Sequence, residues 1–238
     1  MKDSVGLLLP TRSRYVALQE SLYSLSETEE AKELLDVFIL ADQDRESYDI
    51  ANDFIHKQKF RSYKVIYSSR RLYPVKGFIS LYNICLSEYF FWTTNRITYR
   101  KDWLVKALTH FNATFPDKIG VFAMGGKLNK ANVGMSSKKF VEYNENSWFS
   151  PVYKMNFCDD ELACRAVLLG RYSFLKEPLL TMNDSEELLY SSKEEKEGLK
   201  KVDRSVFYRR SENNFDLPME KTWPWKGFRE INLPIEKT

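Results

Sequence analysis

VGLLLPTRSRY, residues 5–15, decides the fold of this 238-residue chain, because a continuous apolar run ends there in a basic loop. Such a run is typical of a buried parallel strand. Pro10 is predicted to end the strand, since proline cannot donate to a ladder. From Tyr15 to Leu25 the apolar residues recur at helical spacing. The stretch therefore predicts a strand, a loop and a helix, with the loop at the sheet edge where open α/β folds bind ligands.

The same alternation of strand and helix continues along the chain. The predicted strands are residues 5–9, 36–41, 63–67, 89–92 and 119–123, and the predicted helices lie within residues 15–25, 48–55, 78–86, 103–111 and 159–169. Strands that alternate with helices predict an α/β fold with a mostly parallel, Rossmann-like sheet flanked by helices. Right-handed crossovers then place the strand-to-helix loops on one rim of that sheet.

The pattern changes after Met124, where glycine and asparagine predict loops at 125–126, 129–132 and Gly134. Residues 138–143 are predicted as a short edge strand. Charge dominates residues 186–210, which predicts an exposed helix, and the aromatic segment 223–228 is expected to pack across the surface. The predicted organisation is one α/β domain over residues 1–180 and a C-terminal helical extension over residues 181–238 that packs on it.

Composition excludes several classes of protein. A hydrophobic fraction of 43% argues against disorder, and three cysteines without a C-x-x-C pair predict neither a disulfide framework nor a zinc site. A net charge of +3 permits nucleic acid or an anionic membrane without requiring either. The sequence predicts no signal peptide and no transmembrane segment, so a cytoplasmic location is expected.

Polar residues follow the predicted strands in a recurring order. They are Pro10-Thr11-Arg12, Asp42-Gln43-Asp44, Lys76-Gly77 with Asn83 on the third helix, Thr93-Thr94-Asn95-Arg96, and Asp159-Asp160-Glu161 at the start of a late helix. This order resembles the GT-A fold glycosyltransferases, the nucleotide-sugar-dependent group related to family 2. The resemblance covers residues 5–180, with a weaker echo in residues 203–210. An oxidoreductase is disfavoured, because no G-x-G-x-x-G follows the first strand.

The resemblance implies a nucleoside-diphosphate sugar as donor. The loop after the first strand would enclose base and ribose, Asp42 would accept a hydrogen bond from the base, and the third helix would lie near the diphosphate. The implied donor-binding residues are Pro10, Thr11, Arg12, Arg14, Asp42, Asp44, Lys76, Gly77, Asn83, Asn95 and Arg96. From the residues alone, guanidinium groups suit phosphate or a flat base. Ordinary surface arginines and helix capping by the aspartates are the alternatives.

The family places an Asp-x-Asp after the fourth strand to hold a divalent cation, and this sequence has no carboxylate there. Mg²⁺ and Mn²⁺ want anionic oxygen ligands, so no metal-ligating residue is predicted, and a divalent cation is possible but not required. His56 and His110 are expected to be ordinary helix residues. Either Arg96, with Lys76, supplies the positive charge that a metal would give the leaving diphosphate, or the protein has lost its chemistry and only binds.

The acidic cluster favours retained activity. An inverting transferase needs a carboxylate that takes the proton of the acceptor hydroxyl, and the resemblance implies this role for Asp160, with Asp159 as second choice. The alternative is stabilisation of the acids by the helix dipole.

The acceptor is less defined by the sequence. Trp148, in an aromatic loop, is a candidate acceptor-binding residue, although packing is the alternative. A glycan acceptor is favoured; basic residues such as Lys138 and Lys139 make hydroxylated DNA a further possibility. The predicted function is glycosyl transfer from a nucleoside-diphosphate sugar to an acceptor hydroxyl. The alternative is a non-catalytic nucleotide-sugar-binding or scaffold protein.

Overall fold

A computed structural model of the chain describes residues 4–27, 29–124, 131–175, 178–182 and 193–217. The predicted loop at 125–126, the aromatic segment 223–228 and the first part of the predicted helix 186–210 lie outside these residues. The predicted boundary between the α/β domain and the C-terminal extension, at residue 180, therefore stays a prediction.

The five strands of the predicted alternation are present, and the described residues contain four further strands that were not predicted. The strands are β1 (Val5–Thr11), β2 (Leu35–Asp42), β3 (Ser62–Ser68), β4 (Tyr89–Trp92), β5 (Ile97–Tyr99), β6 (Val121–Ala123), β7 (Gly134–Ser137), β8 (Tyr172–Phe174) and β9 (Leu180–Met182). The helices are α1 (Tyr15–Ser26), α2 (Arg45–Ile55), α3 (Tyr73–Ile84), α4 (Trp103–Thr114), α5 (Lys138–Tyr143), α6 (Cys158–Leu168) and α7 (Lys193–Ser211), with short 3-10 turns at Glu29–Leu34 and Asn214–Asp216.

The main sheet has the order β3-β2-β1-β4-β7-β6-β8, and β5 pairs with β9 in a separate two-stranded sheet. Strands β1 to β4 run parallel to one another, whereas β7 is antiparallel to both of its neighbours, β4 and β6. The apolar runs of β1, β2 and β4 are buried on both faces. One core layer lies under α1, α2 and α4, and the other under α3, α5 and α6. The carboxyl ends of β1, β2 and β4 therefore meet at one edge.

The prediction that Pro10 ends the first strand is wrong, since β1 continues to Thr11. In β1 the backbone carbonyl of Leu8 accepts from the amide of Thr93 after β4, so Leu8 directs its hydrogen bonds towards the β4 side. Successive residues of a strand direct their backbone groups to opposite neighbouring strands, so Pro10, two residues after Leu8, faces the β4 side as well. The β1–β4 register ends at Leu8, so the missing N–H of Pro10 costs no ladder bond.

The predicted edge strand at residues 138–143 is also wrong, because this segment is the helix α5. Ser137 caps the helix by accepting from the amide of Phe140 at 3.1 Å, which ends the preceding strand β7. Gly134, predicted as a loop marker, lies in β7 instead. A Cβ there would lie 2.6 Å from the Trp92 ring and 2.7 Å from the carbonyl oxygen of Phe122, so only glycine fits.

The helix α7 packs on the same layer as α6. Arg210 near its end forms two hydrogen bonds of 2.8 Å with Glu161 in the first turn of α6, and Phe207 stacks against Phe157 and Phe215. Among the described residues, the model contains no helix whose length and hydropathy would let it cross a bilayer.

Candidate functional site

A cavity opens at the carboxyl edge of the sheet, where β1, β2 and β4 end and α3 begins. The residues that line it are Pro10, Thr11, Arg12, Arg14, Asp42, Arg71, Tyr73, Pro74, Phe78, Thr94, Asn95, Arg96 and Met155. Seven of the predicted donor-binding residues are thus brought together by the fold: Pro10, Thr11, Arg12, Arg14, Asp42, Asn95 and Arg96. This is the edge at which open α/β sheets bind ligands.

Asp42, the last residue of β2, holds the segment that leads into α3. One oxygen of its buried carboxylate accepts from the amide of Leu72 at 2.7 Å. The other accepts from the amide of Tyr73 at 3.0 Å and from the guanidinium of Arg71 at 2.7 Å. A carboxylate with three donors has little capacity left for a base, so Asp42 mainly orients Arg71 and Tyr73 at the cavity.

Asp44 caps α2, the alternative that the sequence left open for it. Its carboxylate accepts from the amide of Ser47 at 3.4 Å, from the Ser47 hydroxyl at 2.6 Å and from the amide of Ser13 at 2.6 Å. Burial opposes ionisation of Asp44, but the hydrogen bonds from Ser47 and Ser13 outweigh it and lower the pKa of the carboxyl. Asp44 does not line the cavity, and it acts on the site by fixing the loop after β1.

Each aspartate holds a backbone segment in an unfavourable conformation. Ser13, held by Asp44, has a φ of +53°, and Tyr73, held by Asp42, has a φ of +63°. Left-handed backbone costs a residue other than glycine about 1–2 kcal/mol. Such strain persists where the surroundings over-determine it, and it clusters at functional sites. Asp42 and Asp44 therefore preorganise the two backbone segments at the cavity.

Two helices, α1 and α3, begin at the cavity. Neither Arg14, which precedes α1, nor Leu72, which precedes α3, provides a capping hydrogen bond, but at α3 the carboxylate of Asp42 already accepts from the amides of Leu72 and Tyr73. The amino end of a helix carries a partial positive charge and orphan amides, so it favours anions. At the cavity this applies to α1. A missing side-chain cap does not by itself mark the cavity, because α4 and α6 also lack one, whereas α2 and α5 are capped by Asp44 and Ser137.

The loop after β4 supplies the wall between the two helices. Asn95 is buried and donates to the hydroxyl of Thr11 and to the carbonyl of Ser13, both at 3.1 Å. Next to it, the Nε of Arg96 is buried and has no hydrogen-bond partner among the described residues. An orphan buried donor of this kind costs stability of about 1–3 kcal/mol or more when charged. The indole nitrogens of Trp103 and Trp148 are also buried without a partner in the described chain, but Arg96 lies in a cavity wall, where a ligand can supply the acceptor.

The cavity is strongly positive. Arg12, Arg14, Arg71 and Arg96 line it, and Asp42 is the only acidic side chain among the lining residues. Burial lowers the pKa of Arg71, Asp42 counteracts this, and the neighbouring charge of Arg12 adds to it. The guanidinium of Arg71 also lies 4.7 Å above the ring centre of Tyr73. Such a site suits a compact polyanion.

Sequence reasoning did not place Arg71, Tyr73, Phe78 and Met155 in the site. A signal was present at Tyr73-Pro74, because proline favours the first turn of a helix. It would have moved the start of the third helix to the rim. Met155 carried no local signal.

Three predicted residues of the third helix do not line the cavity. Lys76 and Asn83 are exposed, and Asn83 lies ten residues after Tyr73, about 15 Å along the helix. Gly77 is buried against β1: a Cβ there would lie 2.9 Å from the Cβ of Pro10. Gly77 therefore lets α3 approach β1 closely and supports the cavity wall by packing.

The acidic cluster forms the first turn of α6. Asp160 is only 5% exposed, whereas Asp159 is half-buried. Glu161 accepts from Tyr153 at 2.7 Å and from both nitrogens of the Arg210 fork, which makes it a structural anchor for α7. Asp159 follows Met155 by four residues, so the chain places it at most about 14 Å from the cavity wall.

Trp148, the candidate acceptor-binding residue, is a core residue. Its ring stacks on Phe149 with centroids 4.3 Å apart and contacts Phe90, Trp92 and Tyr82. It is 5% exposed, so its ring faces are covered by protein. Trp148 therefore packs in the core, the alternative that the sequence left open, and it is not placed to contact an acceptor.

The residues after β4 do not fit a divalent cation. The hydroxyl of Thr93 is within 3.0 Å of the Tyr99 hydroxyl, that of Thr94 accepts from the amide of Arg96, and the third side chain is an amide. Across the described residues, no group of three or more His, Cys, Asp or Glu side chains is arranged to hold a metal ion. His56 lies against Tyr63, and His110 against Ser173. A guanidinium stands where a hard cation would need an anionic oxygen.

Comparison with known proteins supports the fold. No family model and no curated protein sequence matches the chain. Among solved structures it is similar to the mannosyltransferase PcManGT from Pyrobaculum calidifontis in complex with GDP-Man and Mn²⁺, with a TM-score of 0.63 and 12% identity over 75% of this chain and 55% of that one.

It is also similar to S. aureus TarS 1–349. The complex with UDP-GlcNAc gives a TM-score of 0.63 and 13% identity over 88% of this chain and 70% of that one. The complex with UDP gives 0.62 and 13% over 90% and 72%. The chain spans little more than half the length of PcManGT and 60% of another TarS 1–349 structure. At these identities the likeness shows the fold alone: the chain has the GT-A type of α/β, Rossmann-like fold, as predicted.

Proposed function

We propose that the chain is a glycosyltransferase that takes its sugar from a nucleoside-diphosphate sugar and passes it to an acceptor hydroxyl. The observation that carries the proposal is the buried Nε of Arg96, which lacks a protein acceptor in the described chain and lies in the wall of an arginine-lined cavity. A diphosphate supplies both the missing acceptor and the missing negative charge. The fold neighbours, which include transferases in complex with GDP-Man and with UDP-GlcNAc, support a donor of this class.

In this proposal the cavity arginines bind the diphosphate and stabilise the charge that develops on it as the sugar leaves. Preorganised donors aimed at developing charge usually provide the largest part of such a rate enhancement. The amino end of α1 adds its dipole without needing to reorganise. Because the residues after β4 do not fit a divalent cation, the guanidinium of Arg96 takes the role of counter-charge to the diphosphate.

Burial changes which aspartate we propose as the general base that takes the proton of the acceptor hydroxyl, a role for which the sequence favoured Asp160. A general base must come within hydrogen-bond reach of the proton it removes. Asp160 is almost fully buried, whereas Asp159 has an exposed fraction between a tenth and a third. We therefore assign the base to Asp159 and leave to Asp160 a role in the first turn of α6. The acceptor is proposed to be a glycan hydroxyl.

The test is sugar transfer, or hydrolysis of the donor, by Asp159→Asn and by the matched control Asp160→Asn. Both substitutions conserve shape, and both residues lie in the same helical turn. General bases contribute about 10²–10⁴-fold, so turnover should fall by that factor in Asp159→Asn, with the nucleotide affinity unchanged. A larger loss in Asp160→Asn would reverse the assignment. Turnover that is undetectable in the wild type, across a broad panel of donors and acceptors, would favour a protein that only binds.

A further inference from the structure

The helix α7 contacts the wall of the cavity at two places. Near its start, Glu195 accepts a hydrogen bond from the hydroxyl of Tyr73 at 3.2 Å, and Tyr73 lines the cavity. Eight residues further, about 12 Å along the helix, Asp203 contacts the segment that carries Met155, which also lines the cavity. The described part of α7 supplies no lining residue of its own, so any influence on the site passes through these contacts.

Asp203 holds the Met155 segment by its backbone. The carboxylate is fully buried and accepts from three consecutive amides, those of Lys154, Met155 and Asn156, at 3.1, 2.8 and 2.9 Å. Hydrogen bonds from amides to a carboxylate are about twice as strong as those between neutral groups. The carbonyl of Lys154 in turn accepts from the amide of Val75 at 3.3 Å. The segment is therefore fixed between α7 and the first turn of α3.

We infer that Asp203 is a positioning residue for the donor site. By fixing the three amides it keeps Met155 in the cavity wall, beside the first turn of α3 that Asp42 holds, and so sets the shape of the space that receives the donor. This inference rests on the proposed function of the cavity. It makes α7 part of the binding site, although the helix lies outside the sheet edge that defines it.

A second buried aspartate provides a matched control. Asp36 accepts from the guanidinium of Arg61 at 2.8 Å and from the hydroxyls of Ser62 and Ser87 at 2.6 and 2.7 Å. Like Asp203 it satisfies three donors. It lies near the amino end of β2, six residues and about 20 Å from Asp42. Substitution of either aspartate is thus expected to lower the stability of the fold, whereas only substitution of Asp203 is expected to change the site.

The experiment compares Asp203→Asn with Asp36→Asn. The probe is UDP or GDP, whichever the wild type binds more tightly, titrated by calorimetry at a temperature where thermal unfolding curves show every variant to be folded. In Asp203→Asn one oxygen becomes an NH₂ group that faces an amide donor, so the segment shifts. We expect the Kd to rise about tenfold in Asp203→Asn and less than twofold in Asp36→Asn.

A double variant tests whether the effect passes through the wall. Met155→Ala removes the lining side chain, and it does not depend on whether Asp203→Asn folds well. If Asp203 acts by placing Met155, the two substitutions together raise the Kd less than the product of their separate effects. Full additivity, an unchanged Kd in Asp203→Asn, or equal increases in Asp203→Asn and Asp36→Asn would overturn the inference. A wild type that binds neither nucleotide would overturn the proposed function with it.

Discussion

The arginines of the cavity and those between α6 and α7 differ in what they bind. Arg210 forms a two-pronged pair with Glu161. Arg165 is buried and donates to Asn144 and to the carbonyl of Phe215; its Nη2 makes no hydrogen bond in the described chain but lies 3.9 Å from the carboxylate of Glu145. Arg96 lies in the cavity wall with a buried Nε that no acceptor in the described chain satisfies. A matched arginine stabilises the fold, whereas an unmatched one opposes it. The comparison indicates that the arginines between α6 and α7 hold the structure together, and it supports the proposal that those of the cavity bind an anionic ligand.

The largest effect is expected in the structural region. Arg210→Met removes one member of a pair whose carboxylate, on Glu161, is 2% exposed. Breaking a buried pair from one side costs about 3–5 kcal/mol, so the free energy of unfolding in urea should fall by about that amount. Nucleotide affinity, measured where the variant is folded, should change less than threefold.

Tyr153→Phe is the control for this region, because it removes a single hydrogen bond to the same carboxylate. Because the acceptor is a charged carboxylate, its expected cost is about 1.5–3 kcal/mol. Equal costs for Arg210→Met and Tyr153→Phe would show that the ion pair contributes nothing of its own and would erase the contrast with Arg96.

The next largest effect is expected in the cavity, where one substitution should weaken ligand binding without lowering the stability of the unliganded protein. Arg96→Met should weaken nucleoside diphosphate binding by about 1.5–3 kcal/mol, or roughly ten- to a hundredfold, because a hydrogen bond to a charged group is lost. The same substitution should leave the unliganded protein as stable or more stable, since it removes a buried donor without an acceptor. Titration calorimetry and urea unfolding measure the two effects.

Arg45→Met is the matched control, because Arg45 is an exposed arginine on α2 that pairs with Asp49 at 3.1 Å. It should alter neither quantity by more than about 0.5 kcal/mol. The account of the cavity is contradicted if Arg96→Met destabilises the unliganded protein strongly while its nucleotide affinity stays that of the wild type.

A smaller effect should depend on pH. The pKa of Asp44 is lowered below its ordinary value of 3.8 in the folded protein, so its stabilising contribution is complete above that value and is lost as the pH falls below it, through the folded-state pKa. Asp44→Ala should cost about 1 kcal/mol at pH 7, as the loss of a helix cap does. The difference from the wild type should shrink below pH 3.8. A difference that grows with acidity would exclude the cap as its cause.

Much of the fold could be predicted because it is local in the sequence. The continuous apolar runs of β1, β2 and β4 identify buried parallel strands, and the loops after them bring Arg12, Asn95 and Arg96 to one edge without further information. The strand β7 could not be predicted, because Gly-Met-Ser-Ser has no apolar period and is selected by contacts with β4 and β6 on both sides.

The site, like the fold, was predictable where it depends on local sequence and not where it depends on packing between distant segments. Asp203 reaches a segment 47 to 49 residues away in the sequence, and such a contact depends on how α7 packs. The difference between Asp159 and Asp160 likewise depends on the rotation of α6 against its neighbours. Acidic residues at the start of a helix satisfy its dipole in either position, so their spacing does not separate a base from a buried acid.

The central claim is that the arginines of the cavity, among them Arg96 with its unmatched Nε, bind a diphosphate, and the most direct measurement compares ligands rather than variants. UDP and GDP are titrated into the wild type in EDTA, beside uridine and guanosine, which lack the phosphates. Charged hydrogen bonds contribute about 1.5–3 kcal/mol each, so one of the diphosphates should bind at least about a hundredfold more tightly than its nucleoside. Equal affinities for diphosphate and nucleoside, or diphosphate binding that disappears in EDTA, would contradict the account.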